Sequence, residues 1–391
     1  MKRILFLFFI SAIVGCNSNR MLVARIDKSL DSLRTMFAPD SRTAVFKVTA
    51  EETRQGIVVK GDVDNLEAKT SAMLCVRKLE RDGVIDSISV LPDENLKPKV
   101  YGIVDVSVAS MYAAPRYSSE LVNQLLLGHT VSVLRESHGW YYVKSTPQPP
   151  FDNGYLGWID SDNLVRMDSS DFEVYNAERK IIVTSVYSTV RSSINGGSTM
   201  SDVVMADLLK PISVIGSSIK IELPDGRVGY VLRSDAEYLD KYSSVHKPTP
   251  DGIESLAREF IGFPYLWGGT STKGLDCSGF VKTVFRMNDV DLPRDANQQV
   301  NIGKSVDPGS NFSNLKKGDL LFFGERGGAG KPEEIVHVGI YLGGGYFIHS
   351  SSLVRINSLV STDSLFDEYE LNRFVEAKRI LPLSTDSAQI N

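Results

Sequence analysis

Three side chains in the last third of the chain stand in patterns suited to covalent chemistry. Cys277 lies in Gly274-Leu275-Asp276-Cys277-Ser278-Gly279-Phe280, between a glycine-rich stretch and the apolar helical pattern Phe280, Val281, Val284 and Phe285. That context places Cys277 at a helix N-terminus, where the dipole and free backbone N–H groups favour the nucleophilic thiolate. His337 and His349 fall in the β-type runs Val336–Leu342 and Gly345–His349, joined by Gly343-Gly344-Gly345, a hairpin signal. If Leu342 pairs with Tyr346, His337 faces Ser351, and His349, two residues from Ser351, points to the same face. Diagonal neighbours of that kind lie about 7–8 Å apart at the backbone, within side-chain reach; a slip of one residue would put them on opposite faces. Cysteine and two histidines then supply nucleophile, base and orienting group. His337 would hold the thiolate as an ion pair and later protonate a leaving amine, and His349 would fix the His337 ring at its other nitrogen. A zinc site is the competing chemistry for one cysteine and two histidines, but a fourth ligand is missing and the spacings are not those of zinc motifs. Neither a metal nor another cofactor is therefore expected.

The elements that must position these groups begin after Lys247-Pro248-Thr249-Pro250, which reads as a linker. Asp251 can cap a helix running to about Ile261, with Ile253, Leu256, Ala257 and Phe260 at helical spacing. From there to Leu383 the pattern is one α+β domain, taken as residues 250–383. Upstream lies an imperfect repeat: Ser110-Met111-Tyr112 recurs as Ser185-Val186-Tyr187, and Gly157-Trp158 answers to Gly229-Tyr230. Leu121-Val122, Leu125-Leu126 and Val131-Ser132-Val133 find echoes in Val203-Val204, Leu208-Leu209 and Ser213-Val214. Short β-type runs broken by Gly, Pro and Asn suit two small barrels, residues 98–168 and a more divergent 170–243. Residues 20–97 read as a helix or tether, then strand, strand, helix, strand, a small α+β unit. Cys75 sits there in a helical pattern and reads as a small buried hydrophobe.

With 42% hydrophobic and 23% charged residues, the composition is that of a globular protein. A net charge of −5 without blocks of like charge excludes the basic face of a nucleic-acid binder. Residues 1–16 have the layout of an export signal: Lys2 and Arg3, an apolar run Ile4–Ile10, then Ile13-Val14-Gly15-Cys16. The run is too short to span a bilayer, which needs about twenty apolar residues. Its ending resembles a bacterial lipobox, which implies lipidation of Cys16 and an exported protein anchored to the cell envelope. Asn17 is not the aspartate of inner-membrane retention, which favours an outer membrane. Cys277 is then an unpaired thiol in an exported chain, a pattern that marks a reactive cysteine.

Residues 252–383 resemble the NlpC family of papain-like bacterial cell-wall endopeptidases. The matching segments, in family order, are Tyr265-Leu266-Trp267-Gly268-Gly269, Asp276-Cys277-Ser278-Gly279-Phe280, Leu292-Pro293-Arg294-Asp295, Lys317-Gly318-Asp319-Leu320, His337-Val338-Gly339-Ile340-Tyr341 and Ile348-His349. Both repeat copies resemble bacterial SH3-like domains, and residues 20–97 resemble BON-like domains. The fold class implied is multidomain α+β, with a papain-like α+β catalytic domain preceded by two SH3-like barrels and a small α+β N-terminal domain. The resemblance implies a cysteine peptidase that hydrolyses the γ-D-glutamyl bond to a diamino acid in peptidoglycan peptides, with Cys277, His337 and His349 as triad. Tandem SH3-like domains imply a monomer preferring short wall peptides with a free N-terminal L-Ala. For that ammonium, Asp276 is the expected acceptor, with Glu120 and Tyr155 of the first SH3-like domain as companions. Arg294 and Asp295 are expected to line the D-glutamyl or diamino-acid pocket. Tyr265 and Trp267 would form the cleft wall and an oxyanion contact, and Ser278 would offer its backbone N–H. Ala296 departs from the family, which often carries a small hydroxyl residue there. A silent wall-binding lipoprotein and an amidase or acyltransferase on the same fold are the alternative functions.

Overall fold

The computed structural model describes residues 8–194, 196–328 and 331–381, with side chains from residue 20 onward. Residues 1–7 of the expected export signal lie outside the described residues, and so does the Cys16 side chain on which the expected lipidation falls. Among the described residues no helix is long and apolar enough to cross a membrane. The chain divides into two compact units, one reaching Val100 and including Val133–Glu136, the other formed by Tyr101–Ser132 and the residues from Ser137 onward.

In the first unit, α1 (Phe8–Phe37) is followed by β1 (Phe46–Thr53), β2 (Gly56–Val63), α2 (Leu66–Leu79) and β3 (Val84–Val90). β1 pairs antiparallel with β2, and β3 joins the other edge of β2 in parallel across the α2 crossover. Asn65 caps α2 by accepting from the Ala68 N–H at 2.8 Å. Ile26 and Leu30 of α1 and Ala68, Ala72 and Val76 of α2 meet Val48, Val59 and Ile88 of the sheet in one core. The unit is thus the strand, strand, helix, strand pattern of the sequence, with the preceding segment helical rather than a loose tether.

The second unit begins with β4 (Tyr101–Val104), β5 (Val108–Tyr112), β6 (Leu121–Leu126), β7 (Thr130–Ser137), β8 (Trp140–Ser145), β9 (Leu156–Asp160) and β10 (Leu164–Met167). After α3 (Ser169–Ala177) come β11 (Ile181–Val183), β12 (Tyr187–Arg191), β13 (Thr199–Val204), β14 (Leu208–Ile215), β15 (Ser218–Glu222), β16 (Val228–Leu232) and β17 (Ala236–Tyr238), then α4 (Leu239–Val245). The two sheets have one topology: β10-β4-β7-β8-β9-β5-β6 and, strand for strand, β17-β11-β14-β15-β16-β12-β13. The repeat is therefore real, but its register differs from the sequence alignment. Buried Ala109 and Met111 of β5 correspond to buried Ser188 and Val190 of β12, so Ser110-Met111-Tyr112 does not match Ser185-Val186-Tyr187. Position in the pleat, rather than residue likeness, sets which residues are equivalent. Neither sheet closes into the expected barrel, since the terminal strands do not pair with each other. The β6 edge turns instead to the last domain, where Thr270 Oγ1 donates to the Gln124 carbonyl at 3.0 Å and Ser271 Oγ to Gln124 Oε1 at 2.9 Å.

The last domain comprises α5 (Pro250–Glu259), β18 (Thr270–Ser271), β19 (Gly274–Leu275), α6 (Cys277–Arg286), α7 (Ala296–Gln299), β20 (Lys304–Val306), β21 (Leu320–Glu325), β22 (Glu334–Gly343), β23 (Tyr346–Ser351), β24 (Leu353–Ser358), α8 (Glu368–Arg373) and β25 (Phe374–Arg379). Thr249 caps α5 by accepting from Gly252 N–H, with Pro250 in the first turn; the expected cap Asp251 is the second helical residue. The antiparallel sheet runs β20-β25-β21-β22-β23-β24. Phe280, Val281, Val284 and Phe285 of α6 bury one helical face against Phe322, Val338, Ile340 and Ile348 of the sheet. That contact fixes the start of α6 against β22 and β23.

Candidate active site

Asp276 starts α6 as its N-cap, its Oδ1 accepting from the Gly279 N–H at 2.7 Å. Gly279 is required by close approach, because a Cβ there would lie 2.0 Å from the Gly269 carbonyl oxygen. Cys277 is the first helical residue and is 8% exposed. Burial pushes its thiol up to about 12 and the Asp276 carboxylate adds to this, while the backbone N–H groups of Ser278 and Val338 pull the other way by hydrogen bonding the sulfur. The Val338 contact brings the sulfur to β22 one residue from His337.

The hairpin register is the expected one over its upper part, with Ile340 facing Ile348 and Tyr341 facing Phe347. Tyr346 pairs with Gly343 rather than Leu342, a bulge next to the turn that absorbs one residue and leaves the far end unchanged. The two imidazoles therefore share a face, with His337 Nε2 2.8 Å from His349 Nδ1. His349 Nε2 lies 3.2 Å from Asn357 Oδ1, a pure acceptor, so His349 carries its hydrogen on Nε2 and accepts at Nδ1. His337 must then donate from Nε2, which leaves its Nδ1 as the basic nitrogen. Burial holds His337 well below its usual range and His349 down to about 4. Each group of the trio is thus driven to its neutral form when taken singly. A thiolate beside an imidazolium carries no net charge, so proton transfer from a cysteine to a histidine would leave no net charge buried here. Donor atoms of His337, His349 and Glu370 lie within 4.8 Å of one another. At 2.8 Å the two ring nitrogens share a hydrogen, so they are arranged as a relay rather than as two free lone pairs for a metal.

The expected pocket residues fall into three groups. Asp276, Ser278 and Arg294 form one buried cluster: Arg294 reaches Asp276 Oδ2 at 2.5 Å and Oδ1 at 3.1 Å, and Ser278 Oγ at 3.0 Å. Asp276 also accepts from the Gly268 N–H, the Gly279 N–H and Ser278 Oγ. A carboxylate offers about four lone-pair sites, and those of Asp276 are already taken. Those bonds give Asp276 a structural duty at the helix cap. Burial holds the Tyr265 phenol up, and negative charge on Cys277 and Asp276 would add to this, so Tyr265 keeps its O–H. Trp267 is 63% exposed with its indole N–H donated to Glu120 Oε1 at 2.9 Å, which makes it a wall rather than an oxyanion contact. Tyr155 donates its hydroxyl to Asp295 Oδ2 at 3.0 Å. The SH3-like residues Glu120 and Tyr155 are thereby both brought to the last domain, on Trp267 and Asp295.

Three residues with a part in this site escaped the sequence reading. Asn357 sits on β24, where His349 pairs with Arg355, so strand alternation from Arg355 would have placed Asn357 on the face of His349. Gln299 donates to the Ser278 and Pro293 carbonyls, at 3.1 and 2.9 Å, tying α7 to the start of α6. Glu370 comes from α8, far along the chain, and no local pattern announces it.

Residues 262–379 match the NlpC/P60 family and residues 107–165 the bacterial SH3 domain. Over 248 residues the chain is 31% identical to the gamma-D-glutamyl-L-lysine dipeptidyl-peptidase of Bacillus subtilis (strain 168), covering 63% of this chain and 77% of that one. It is 29% identical over 269 residues to the protein of the same name from Bacillus cereus, covering 68% of this chain and 77% of that one. The crystal structure of an NlpC/P60 family protein from Bacillus cereus ATCC 10987 superposes with a TM-score of 0.61 at 26% identity, over 72% of this chain and all of that one.

Proposed function

The chain belongs to the NlpC/P60 family of peptidoglycan hydrolases, and from that membership we propose that it is a cysteine peptidase cleaving the γ-D-glutamyl bond to a diamino acid in short wall peptides with a free N-terminal L-Ala. The observation that carries the reading is the placement of a buried cysteine at the start of α6, hydrogen bonded to Val338 N–H, beside a His337–His349–Asn357 relay. His337 Nδ1 takes the thiol proton as the sulfur attacks the scissile carbonyl, a C–S bond forms and the carbonyl electrons move to oxygen. In this reading Tyr265 O–H and the backbone N–H groups at the start of α6 serve as donors to that oxygen. His337 then passes the proton to the departing amine as the C–N bond breaks, and water releases the acyl group by the reverse sequence.

For the free amine, Glu120 is the acceptor that the geometry favours. It is exposed and accepts one hydrogen bond, from Trp267, which leaves its second oxygen for a substrate ammonium. Asp295 of the last domain accepts from the Tyr155 hydroxyl of the first SH3-like domain. Both relatives named above are called gamma-D-glutamyl-L-lysine dipeptidyl-peptidases, which supports a dipeptide-releasing cut with L-Lys as one diamino acid. The export signal and lipobox-like Cys16 support an envelope location, with the lipid as anchor. The test is mass spectrometry of L-Ala-γ-D-Glu-L-Lys and of isolated wall fragments incubated with the wild type and with Cys277→Ala. Release of L-Ala-D-Glu by the wild type alone is expected; full activity in Cys277→Ala would sink the assignment.

A further inference from the structure

The mechanism above leaves unused a buried carboxyl group beside His337. The Glu370 side chain is 5% exposed, its Oε1 lies 3.9 Å from His337 Nε2 and 3.5 Å from an Arg373 nitrogen, and its Oε2 is buried without a hydrogen-bond partner. Buried carboxylate oxygens are ordinarily satisfied, so an orphan oxygen beside a proton relay calls for a function. We propose that ionised Glu370 is the counter-charge of the His337 imidazolium, a positioning residue that acts through the His337–His349 pair and exchanges no proton with sulfur or substrate. The inference rests on the triad reading above.

Asn357 and His349 orient the His337 ring but bring no charge. Once the thiol proton sits on Nδ1, the ring is cationic in a pocket that penalises charge. The thiolate balances it only until the C–S bond forms, when the negative charge moves to the substrate oxygen. Ionised Glu370 holds a carboxylate at the opposite, Nε2 side of the ring before and after that bond forms. Burial is the largest influence on Glu370 and raises it, Asp367 at the α8 cap adds to this, and Arg373 on α8 and Arg355 on β24 oppose it; the carboxyl comes to about 7. From β21 the group at this corner is the uncharged Phe323 ring, packed on His337. The imidazoles are held lower than Glu370, so an acidic limb near neutrality belongs to its ionisation: turnover rises as pH rises through that value.

The test measures kcat and KM for L-Ala-γ-D-Glu-L-Lys across the acid-to-alkaline range for the wild type, Glu370→Gln, Glu370→Asp, Arg373→Gln and Cys277→Ala. Glu370→Gln should lower kcat on the order of tenfold or more, with KM nearly unchanged and the near-neutral limb gone. Glu370→Asp keeps the charge and should restore part of kcat. Arg373→Gln removes a cation that holds Glu370 down, so the limb should move to higher pH; this variant decides the matter if Glu370→Gln does not fold. A wild-type limb in Glu370→Gln, an equal loss in Glu370→Asp, or an unmoved limb in Arg373→Gln overturns the proposal while an inactive Cys277→Ala leaves the triad standing. An active Cys277→Ala overturns the triad and this proposal with it.

Discussion

Replacing Glu120 by Gln isolates the recognition of the substrate amine. The amide keeps the shape of the side chain, and its oxygen can still accept from the Trp267 indole, which Glu120 now does at 2.9 Å. What disappears is the attraction between carboxylate and ammonium. At about 4 Å that attraction is roughly 1 kcal/mol in water and roughly 4 kcal/mol at an effective dielectric constant of about 20. Glu120 is exposed and Trp267 is 63% exposed, which puts the site toward the wet limit, so about 1–2 kcal/mol is the working figure. A loss of that size is roughly 5- to 30-fold in kcat/KM. The assay is a two-by-two cycle, wild type and Glu120→Gln against L-Ala-γ-D-Glu-L-Lys and its N-acetyl form, at low and high salt. The free tripeptide should lose that factor, the acetylated one should change by less than about twofold, and the difference should shrink with salt. Equal losses on both substrates would refute amine recognition at Glu120.

Two further perturbations probe the nucleophile and its helix. In His337→Ala the thiol keeps its burial but loses its proton acceptor, so alkylation of Cys277 by iodoacetamide at neutral pH should fall by at least about a hundredfold. The partly exposed Cys75 serves as internal standard, and unchanged labelling of Cys277 would remove His337 from the pair. Arg294→Met strips the Asp276 carboxylate of its bidentate partner where the two side chains are 3% and 10% exposed. Breaking a buried pair from one side costs about 3–5 kcal/mol, which should appear as lost hydrogen-exchange protection in the α6 amides; full protection would mean that Asp276 is held by its backbone donors alone.

The trio was legible because each member declares itself locally. Cys277 is followed at once by an apolar helical pattern, and His337 and His349 are separated by a hairpin short enough for alternation to assign faces. The Gly343 bulge shows how narrowly that argument held: it lies between the turn and the first regular pairs, and one on the other side of Ile340 would have turned His337 to the opposite face. Asp276 admits two readings for a related reason. A carboxylate beside a nucleophile looks like a ligand for substrate, yet the same position is a helix N-cap. Only the structure shows that Arg294 and backbone N–H groups already take up its oxygens. The repeat went out of register because short β runs of similar composition align equally well several ways, whereas burial in the pleat admits one.

Specificity is less legible than catalysis because it depends on how one domain is set against another. Cys277, His337 and His349 lie wholly within the last domain. The amine end of the cleft is different: Glu120 meets Trp267, and Tyr155 meets Asp295, across partners 147 and 140 residues apart in sequence. Gly268 shows how close that docking is. It adopts φ +77°, and a Cβ there would lie 2.3 Å from the Leu121 carbonyl oxygen, next to Glu120. Any larger residue at 268 would push the SH3-like strand away from the loop that carries Trp267. A change confined to that contact can therefore alter which peptide ends are accepted while the nucleophile and its histidines stay in place. In the proposed reading the peptidase chemistry belongs to one domain, and the choice of substrate to the seam between two.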